Sequence, residues 1–121
     1  MSIARKTPLK PGKKPRARKN PKQRAKAFAR AYESVARVKW VSRRPCVACG
    51  AGPCQNHHIV NGGAGRKADA RFIVPLCWGC HRQIHRVGRP AFEMDWGVSL
   101  ELCAEVIEQN WQEFRRVLEP E

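Results

Sequence analysis

Two stretches of the chain repeat apolar residues at the spacing of an α-helix. In the first, Asn20 followed by Pro21 has the form of an N-cap and a first helical position. The apolar positions that follow are Ala25, Phe28, Ala29, Tyr32, Val35 and Ala36. The basic positions fall largely on the opposite face: Lys22, Lys26, Arg30 and Arg37. This pattern predicts one amphipathic helix over about residues 21–40.

The second helical pattern lies near the C-terminal end of the chain. Ser99 can cap a helix there, because its hydroxyl can accept from a backbone N–H of the first turn. The apolar stripe of this helix consists of Cys103, Ile107, Trp111, Phe114 and Leu118. We therefore expect a long helix that packs on the core through one face.

Short apolar runs between these helices predict a strand hairpin and a third helix. Residues 55–60 and 71–76 are expected to form the two strands, with the glycine-containing segment 61–67 as the loop between them. A short helix is predicted to begin near Cys80 and to end at Gly88. Arg89 and Pro90 would stop it.

Charge is distributed very unevenly over the 121 residues. Residues 1–44 hold 16 of the 24 Lys and Arg residues and one acid, Glu33, so this part carries about +15, whereas residues 45–121 carry about −1. Prolines and like charges in residues 1–21 predict an extended, disordered arm. Such an arm predicts a polyanion partner such as nucleic acid, although an arm that only aids solubility is the alternative. The arm's candidate DNA-binding residues are Lys13, Lys14, Arg16, Arg18 and Lys19.

Six cysteines in a chain without an apolar run of about 20 residues suggest metal ligation. With no signal-peptide pattern or membrane anchor, we expect a cytoplasmic location in a bacterial host cell, where thiols stay reduced. Two Cys-x-x-Cys pairs, Cys46/Cys49 and Cys77/Cys80, have the spacing of knuckles that close on one structural zinc. Cys54 and His81 are competing ligands. Cys54 is interpreted as a free thiol and Cys103 as a structural residue of the last helix.

The histidines form two pairs that are left over from the zinc site. His81 and His85 are four apart and share a helix face. His57 and His58 are adjacent on a strand, so their side chains point to opposite sides. One of them could join His81 and His85 on a second metal while the other faces a substrate phosphate. The alternative is that these histidines are ordinary surface or core residues.

The motifs within residues 44–88 resemble HNH nucleases of the ββα-metal (His-Me finger, treble-clef) fold. They are His57-His58-Ile59, Val74-Pro75-Leu76-Cys77, Cys80-His81 and His85. The tandem histidine and the His-x3-His spacing are similar to those of colicin-type DNases. The longer string from Arg66-Lys67 through Asp69 to Cys77, followed by Phe92 and Gly97-Val98, looks more like phage and prophage HNH proteins, which include RecA-dependent nucleases.

The resemblance implies a role for each histidine. His57, His81 and His85 would bind a catalytic divalent metal (Mg, Mn, Ni or Zn), and His58 would be the general base that activates water. One departure concerns the middle Asn of the HNH pattern, because Phe72 stands at its position. Asn61 or Asp69 could replace it.

Two further features lie near the expected site. Arg66, Lys67 and Arg71 could hold phosphates, or could simply form a solvated basic loop. Trp78 lies inside the second knuckle, where it could pack over the knuckle or stack on a base.

Together these observations predict a small α+β protein with a basic arm (1–21), a basic amphipathic helix (22–44) and a zinc-containing HNH domain with a C-terminal helix (45–121). The first functional hypothesis is a metal-dependent HNH endonuclease that hydrolyses DNA in phage recombination or DNA processing, with a recombinase filament as a possible further partner. The second is a non-catalytic zinc-finger DNA-binding protein. The third is a protein-interaction module whose arm docks on an acidic partner.

Overall fold

A computed structural model of the chain describes Gly12, residues 20–59 and residues 68–118. The helices and strands, in chain order, are α1 (Pro21–Tyr32), α2 (Val35–Ser42), β1 (Cys54–His58), β2 (Ile73–Cys77), α3 (Trp78–Val87), α4 (Arg89–Trp96) and α5 (Leu100–Leu118). A single 3-10 turn, Ala70–Phe72, precedes β2. The expected small α+β fold with a two-stranded sheet is confirmed at this level.

The two strands form an antiparallel hairpin that contributes one residue to each of two side-chain clusters, Cys77 to a group of cysteines and His57 to a group of histidines. Cys54 pairs with Cys77 and His57 pairs with Val74. Strand β1 begins one residue earlier than predicted, and Val60, the predicted last residue of that strand, lies outside the described residues. Strand β2 begins two residues later than predicted, because the Asp69 side chain accepts from the Arg71 N–H at 2.8 Å and starts the 3-10 turn instead.

The predicted single helix over residues 21–40 is wrong, because the chain breaks it between Tyr32 and Val35. Glu33 takes a positive φ of 67°, and the Ser34 side chain accepts from the Arg37 N–H and caps the new helix α2. The N-terminal start is confirmed, since Asn20 and Gln23 form a reciprocal capping box around Pro21.

Arg37 was expected on the basic outer face, and this is also wrong. Its side chain is only 1% exposed. The guanidinium donates to the Ala70 carbonyl at 2.7 Å and pairs with Glu108 of α5 at 2.6 Å. A buried guanidinium needs such partners, so Arg37 ties α2 to the turn before β2 and to α5.

Helix α3 begins two residues earlier than expected because Cys77 caps it, with its sulfur 3.5 Å from the Cys80 N–H. It ends at Gly88 as predicted, with φ 85°. The expected stop before Arg89 and Pro90 is thus confirmed, but a further helix that was not predicted, α4, begins there. Proline is tolerated in the first turn, where its missing N–H has no partner to lose.

Helix α5 closes the core over the hairpin. Ser99 caps it, accepting from the Leu102 N–H at 3.3 Å. Of the predicted stripe, Ile107 and Trp111 are buried and Cys103 is half-buried, which confirms its packing role. Phe114 is 40% exposed, but its ring still packs against Trp40 and Trp111; the prediction is wrong for Leu118, which is 61% exposed. Among the described residues, no helix combines the length and apolar character needed to cross a membrane.

Candidate metal centres

The four cysteines of the two knuckles come together from separate parts of the chain. Cys46 and Cys49 lie in the turn after α2. In this turn the Val47 N–H donates to the Pro75 carbonyl of β2 at 3.1 Å. Cys77 ends β2 and Cys80 lies in the first turn of α3. The knuckles are thus fixed to one another by a backbone hydrogen bond and by the strand that leads into α3.

The geometry of this four-cysteine cluster is compatible with a structural metal site. All four sulfurs lie within 4.8 Å of one another, and those of Cys49 and Cys77 are 3.5 Å apart. Sulfurs bound tetrahedrally to one zinc at about 2.3 Å would be about 3.8 Å apart. The described residues place neither Cys54 nor His81 in this cluster, so the predicted ligand set is the one brought together.

Electrostatics in the four-cysteine cluster also suit a cation. Burial opposes ionisation of Cys46, yet backbone N–H donors, first that of Cys49, lower its pKa to about 7. Burial, followed by the neighbouring Cys77 thiol, raises the pKa of Cys80. A cation would favour the thiolate form of every member and relieve their mutual repulsion.

Cys54 is the other cysteine close to this region, and it behaves as a free thiol, as predicted. It is buried, and its S–H donates to the Ala51 carbonyl at 3.3 Å. Burial raises its pKa to about 11. A thiol in this state is inert, so Cys54 is a useful control for the four-cysteine cluster.

Three histidines converge where strand β1 meets helix α3. His57 from β1 and His81 and His85 from α3 each offer a ring nitrogen within 4.8 Å of the others. The Nε2 atoms of His81 and His85 are 3.0 Å apart. Two nitrogens bound at about 2.0–2.1 Å to one ion lie roughly 3 Å apart, so this separation matches a shared metal. We call this group the three-histidine cluster.

The surroundings of the three-histidine cluster favour neutral, metal-binding imidazoles. Burial, followed by the charges of His81 and His85, lowers the pKa of His57 to about 4. Burial, followed by the charge of His85, also lowers the pKa of His81. Gln55 bonds through Oε1 to Nδ1 of His81; an amide oxygen only accepts, so Nδ1 carries the proton and Nε2 is left with a lone pair.

His58, the predicted general base, points away from the cluster. Its ring packs edge-on against Tyr32 with centroids 4.9 Å apart, and its Nε2 bonds to the Ala31 carbonyl at 2.7 Å. His57, by contrast, contacts both histidines of α3. The predicted opposite facing of the tandem is thus what the contacts show, while the catalytic role of His58 stays a prediction.

An open cleft of about 480 Å³ lies beside the three-histidine cluster. His81 and His85 line it together with Trp78, Arg82 and Arg86 of the same helix. Trp78 is 61% exposed, and the guanidinium carbon of Arg82 lies 4.5 Å from the centre of one of its rings. Trp78 therefore does not pack as a buried lid over the knuckle.

The remaining predicted site residues are distributed as follows. Most of the predicted DNA-binding residues lie outside the described residues: Lys13, Lys14, Arg16, Arg18, Lys19, Arg66 and Lys67. Asn61 also lies outside them. Arg71 is exposed and forms an ion pair with Asp69 at 3.0 Å, which lowers the pKa of that carboxyl. Asp69 is thereby occupied with capping and pairing, and Phe72 is half-buried against the core.

Two contributors to the site were missed by the sequence reasoning. Gln55 lies two residues before His57, so the alternation of a strand could have placed both on one face. Arg82 lies four residues after Trp78, so helical spacing could have paired them. Both signals were present in the sequence once the strand and helix boundaries were known.

Comparison with known proteins places this chain in a family. An uncharacterized protein of Escherichia coli (strain K12), YdfU, is 36% identical over 75 residues, which cover 60% of this chain and 21% of YdfU. The chain therefore matches about a fifth of the length of that relative. No solved structure matches. The profile of the family described as "Protein of unknown function (DUF968)" matches residues 18–112, most of the chain, including both cysteine pairs and all four histidines. The chain belongs to the DUF968 family.

Proposed function

We propose that this protein is a metal-dependent HNH-type endonuclease that hydrolyses DNA phosphodiester bonds. The observation that carries the proposal is the three-histidine cluster, in which His57, His81 and His85 meet within 4.8 Å at the edge of an open cleft. The order of a β-hairpin followed by a helix, with one ligand from the hairpin and two from the helix, also agrees with a ββα-metal core. Phage recombination or DNA processing is the proposed setting.

Two metals have different roles in this proposal. A zinc ion on Cys46, Cys49, Cys77 and Cys80 is structural, because four protein ligands fill its coordination shell. A second divalent ion (Mg, Mn, Ni or Zn) belongs to the three-histidine cluster, where three protein ligands leave positions open. That ion would supply Lewis-acid stabilisation of the charge that develops on a scissile phosphate and its leaving oxygen.

The protein's own residues prepare this second site. Gln55 holds the proton of His81 on Nδ1 and thereby turns its Nε2 toward His85. Burial keeps His57 neutral, which is the form that donates a lone pair. The structural zinc would hold the end of β2 to the start of α3, and this junction sets the spacing between His57 and the two histidines of the helix.

His58 is proposed as the general base, and its hydrogen bond supports that role. The Ala31 carbonyl can only accept, so the Nε2 of His58 must carry the proton of the neutral ring. Nδ1 then holds the lone pair that can take a proton from water. The Tyr32 ring packs against the imidazole and restricts its rotation. Helix α1 thus fixes both the tautomer and the orientation of the ring.

DNA is the proposed partner of the basic N-terminal part. None of the residues of α1 is buried, and Lys22, Arg24, Lys26 and Arg30 on this helix are all exposed. Phosphate contacts by such residues supply affinity without sequence preference. A recombinase filament is proposed as a further partner of this segment.

A non-catalytic zinc-finger DNA-binding protein is the second candidate function. It is favoured by Phe72, which stands where the HNH pattern has Asn and offers no hydrogen-bonding group. A binding protein of this kind has no use for three converging imidazoles, and for that reason we prefer the endonuclease.

The test is a plasmid-nicking assay with Mg, Mn, Ni or Zn added to the zinc-loaded protein. We expect nicking by the wild type and by the exposed control variant Gln109→Ala. His85→Ala should lose activity at low metal concentration and regain part of it at high metal concentration, because the variant binds the catalytic ion more weakly. His58→Ala should lose about 100- to 10,000-fold in rate at every metal concentration.

Two outcomes would overturn parts of this proposal. Salt-dependent DNA binding without cleavage under all metals would favour the zinc-finger alternative. Cleavage by His58→Ala and His85→Ala at the wild-type rate would show that the activity resides elsewhere in the chain.

A further inference from the structure

Trp78 is an unusually exposed aromatic residue in a functionally suggestive place. It is 61% exposed although it is the first residue of α3 and adjoins the four-cysteine cluster. The opposite face of the same helix is well packed, with Cys80 and Ile84 buried. Single exposed apolar side chains are common on protein surfaces, so a ligand is indicated only by the groups that lie beside Trp78 on the open side of this helix.

Arg82 makes Trp78 part of a stacking surface. Its guanidinium lies 4.5 Å from the ring centre, which is within the range of a cation–π contact. This contact places a positive charge over one face of the indole and restricts the motion of the ring. The combination of an aromatic face with an adjacent cation is the one used to bind unpaired nucleobases, whose π faces stack while their phosphates meet the charge.

The stacking surface and the three-histidine cluster open into the same cleft. Trp78, Arg82 and Arg86 line it with His81 and His85. Among the described residues that line the cleft, none is acidic. With a rise of about 1.5 Å per residue, Trp78 lies roughly 5 to 10 Å along the helix axis from the two histidines. This corresponds to about one to three nucleotide steps of about 3.4 Å.

We propose that Trp78 and Arg82 form a binding site for an unpaired nucleobase next to the scissile phosphate. The substrate class is then DNA with a single-stranded, gapped or bulged segment, because the bases of an intact duplex already stack on one another and cannot stack on an indole. Trp78 is a positioning residue in this scheme, and Arg86 contacts the phosphate backbone. The inference rests on the proposed function for the identity of the cleaved bond, but the base-binding site itself is independent of cleavage.

The experiment compares three labelled duplexes of equal length at one salt concentration, by fluorescence anisotropy, with zinc-loaded protein and no added catalytic metal. One duplex is fully paired, one has a single bulged nucleotide, and one has an abasic sugar at the bulge. We expect the wild type to bind the bulged duplex about 5- to 150-fold more tightly than the other two, the range that one stacked base provides.

Matched variants separate stacking from charge. Trp78→Ala should lose the preference for the bulged base without changing the affinity for paired DNA, and Trp78→Phe should retain most of it. Arg86→Ala should weaken all three complexes equally, as a phosphate contact does. Zinc content and thermal unfolding of Trp78→Ala serve as the fold control. If Trp78→Ala unfolds, the abasic bulge still tests the site, because it removes the base and leaves the protein unchanged.

Failure of this inference is distinguishable from failure of the proposed function. Equal binding of all three duplexes by the wild type, or an unchanged preference in both Trp78 variants, would overturn the base-binding site even if the protein nicks plasmids. A bulge preference that depends on Trp78 would support the site even if no metal supports cleavage.

Discussion

Arg37→Met tests the account of how helix α2 is held to the rest of the domain. The substitution keeps the unbranched apolar stem and removes the guanidinium, which is 1% exposed. Three interactions disappear: the bond to the Ala70 carbonyl at 2.7 Å, the ion pair with Glu108 at 2.6 Å and a weaker pair with Glu33 at 3.9 Å. Removing the guanidinium leaves these partners behind, although Glu33 keeps the Trp111 indole N–H and Glu108 keeps the Gln112 amide as hydrogen-bond donors.

The magnitude follows from the exposure of those partners. Leaving one member of a buried ion pair alone costs about 3–5 kcal/mol when that member is fully buried. Glu108 and Glu33 are 25% and 33% exposed, so water can solvate part of each carboxylate. The Ala70 carbonyl adds about 1–3 kcal/mol if water cannot reach it. We therefore expect a loss of about 2–3 kcal/mol, or about 10 °C in melting temperature for a chain of this size.

Urea unfolding of zinc-loaded protein, followed by circular dichroism, measures this loss. Lys39→Met is the matched control, since Lys39 is exposed on the same helix. The control should change the free energy of unfolding by less than about 0.5 kcal/mol. Equal free energies of unfolding for the two variants would refute the conclusion that the buried Arg37 side chain holds α2 to the turn before β2 and to α5.

Three further predictions concern the metal centres and the arm. Cys80→Ser should lose the zinc and cooperative unfolding, whereas Cys54→Ser should keep both; elemental analysis with thermal melts would show it, and retained zinc in Cys80→Ser would contradict it. The folded pKa of His57, about 4, lies below the unfolded value of 6.5, so the unfolded chain takes up the proton first. The wild type should therefore have its full free energy of unfolding above about pH 6.5 and lose part of it as the pH falls toward 4. Over this range the loss should be about 2–3 kcal/mol larger in the wild type than in His57→Gln. Parallel plots of unfolding free energy against pH for the two proteins would contradict this. Deletion of residues 1–20 removes eight positive charges and should make the log-log salt slope of DNA binding shallower by up to about 7, whereas an unchanged slope would leave the arm without a phosphate role.

Local sequence signals predicted those parts of the fold that depend on neighbouring residues. The capping box at Asn20, the glycine end of α3 and the four-cysteine cluster all follow from spacing over a few positions. The helix break at Glu33 does not follow from local spacing alone, because Glu33 also contacts distant residues. Its carboxylate accepts from the Trp111 indole N–H at 2.6 Å, across 78 positions of the chain.

Arg37 and α4 show the same limit in other ways. Helical periodicity placed Arg37 on a solvated face, and only the break after Tyr32 turns it inward. Pro90 is compatible with both the end of one helix and the start of the next. The choice is made by Phe92, which is fully buried in the core, and by Glu93, which accepts from the Leu100 N–H at 3.0 Å.

The candidate site was predictable in its residue types and less so in its geometry. His57, His81 and His85 were grouped correctly from strand and helix periodicity together with a family resemblance. The environment of His58 was not foreseen, since its partner Ala31 belongs to a helix 27 positions earlier. The exposure of Trp78 likewise depends on which face of α3 packs inward.

The existence of a second metal site is the central claim of this account. Anomalous diffraction from crystals of the zinc-loaded protein soaked in Mn²⁺ tests it most directly. We predict a zinc peak among the four cysteines and a separate manganese peak about 2 Å from a ring nitrogen of His57, His81 and His85. Absence of anomalous density for either metal from the three-histidine cluster at saturating Mn²⁺, with zinc in place at the cysteines, would contradict the claim.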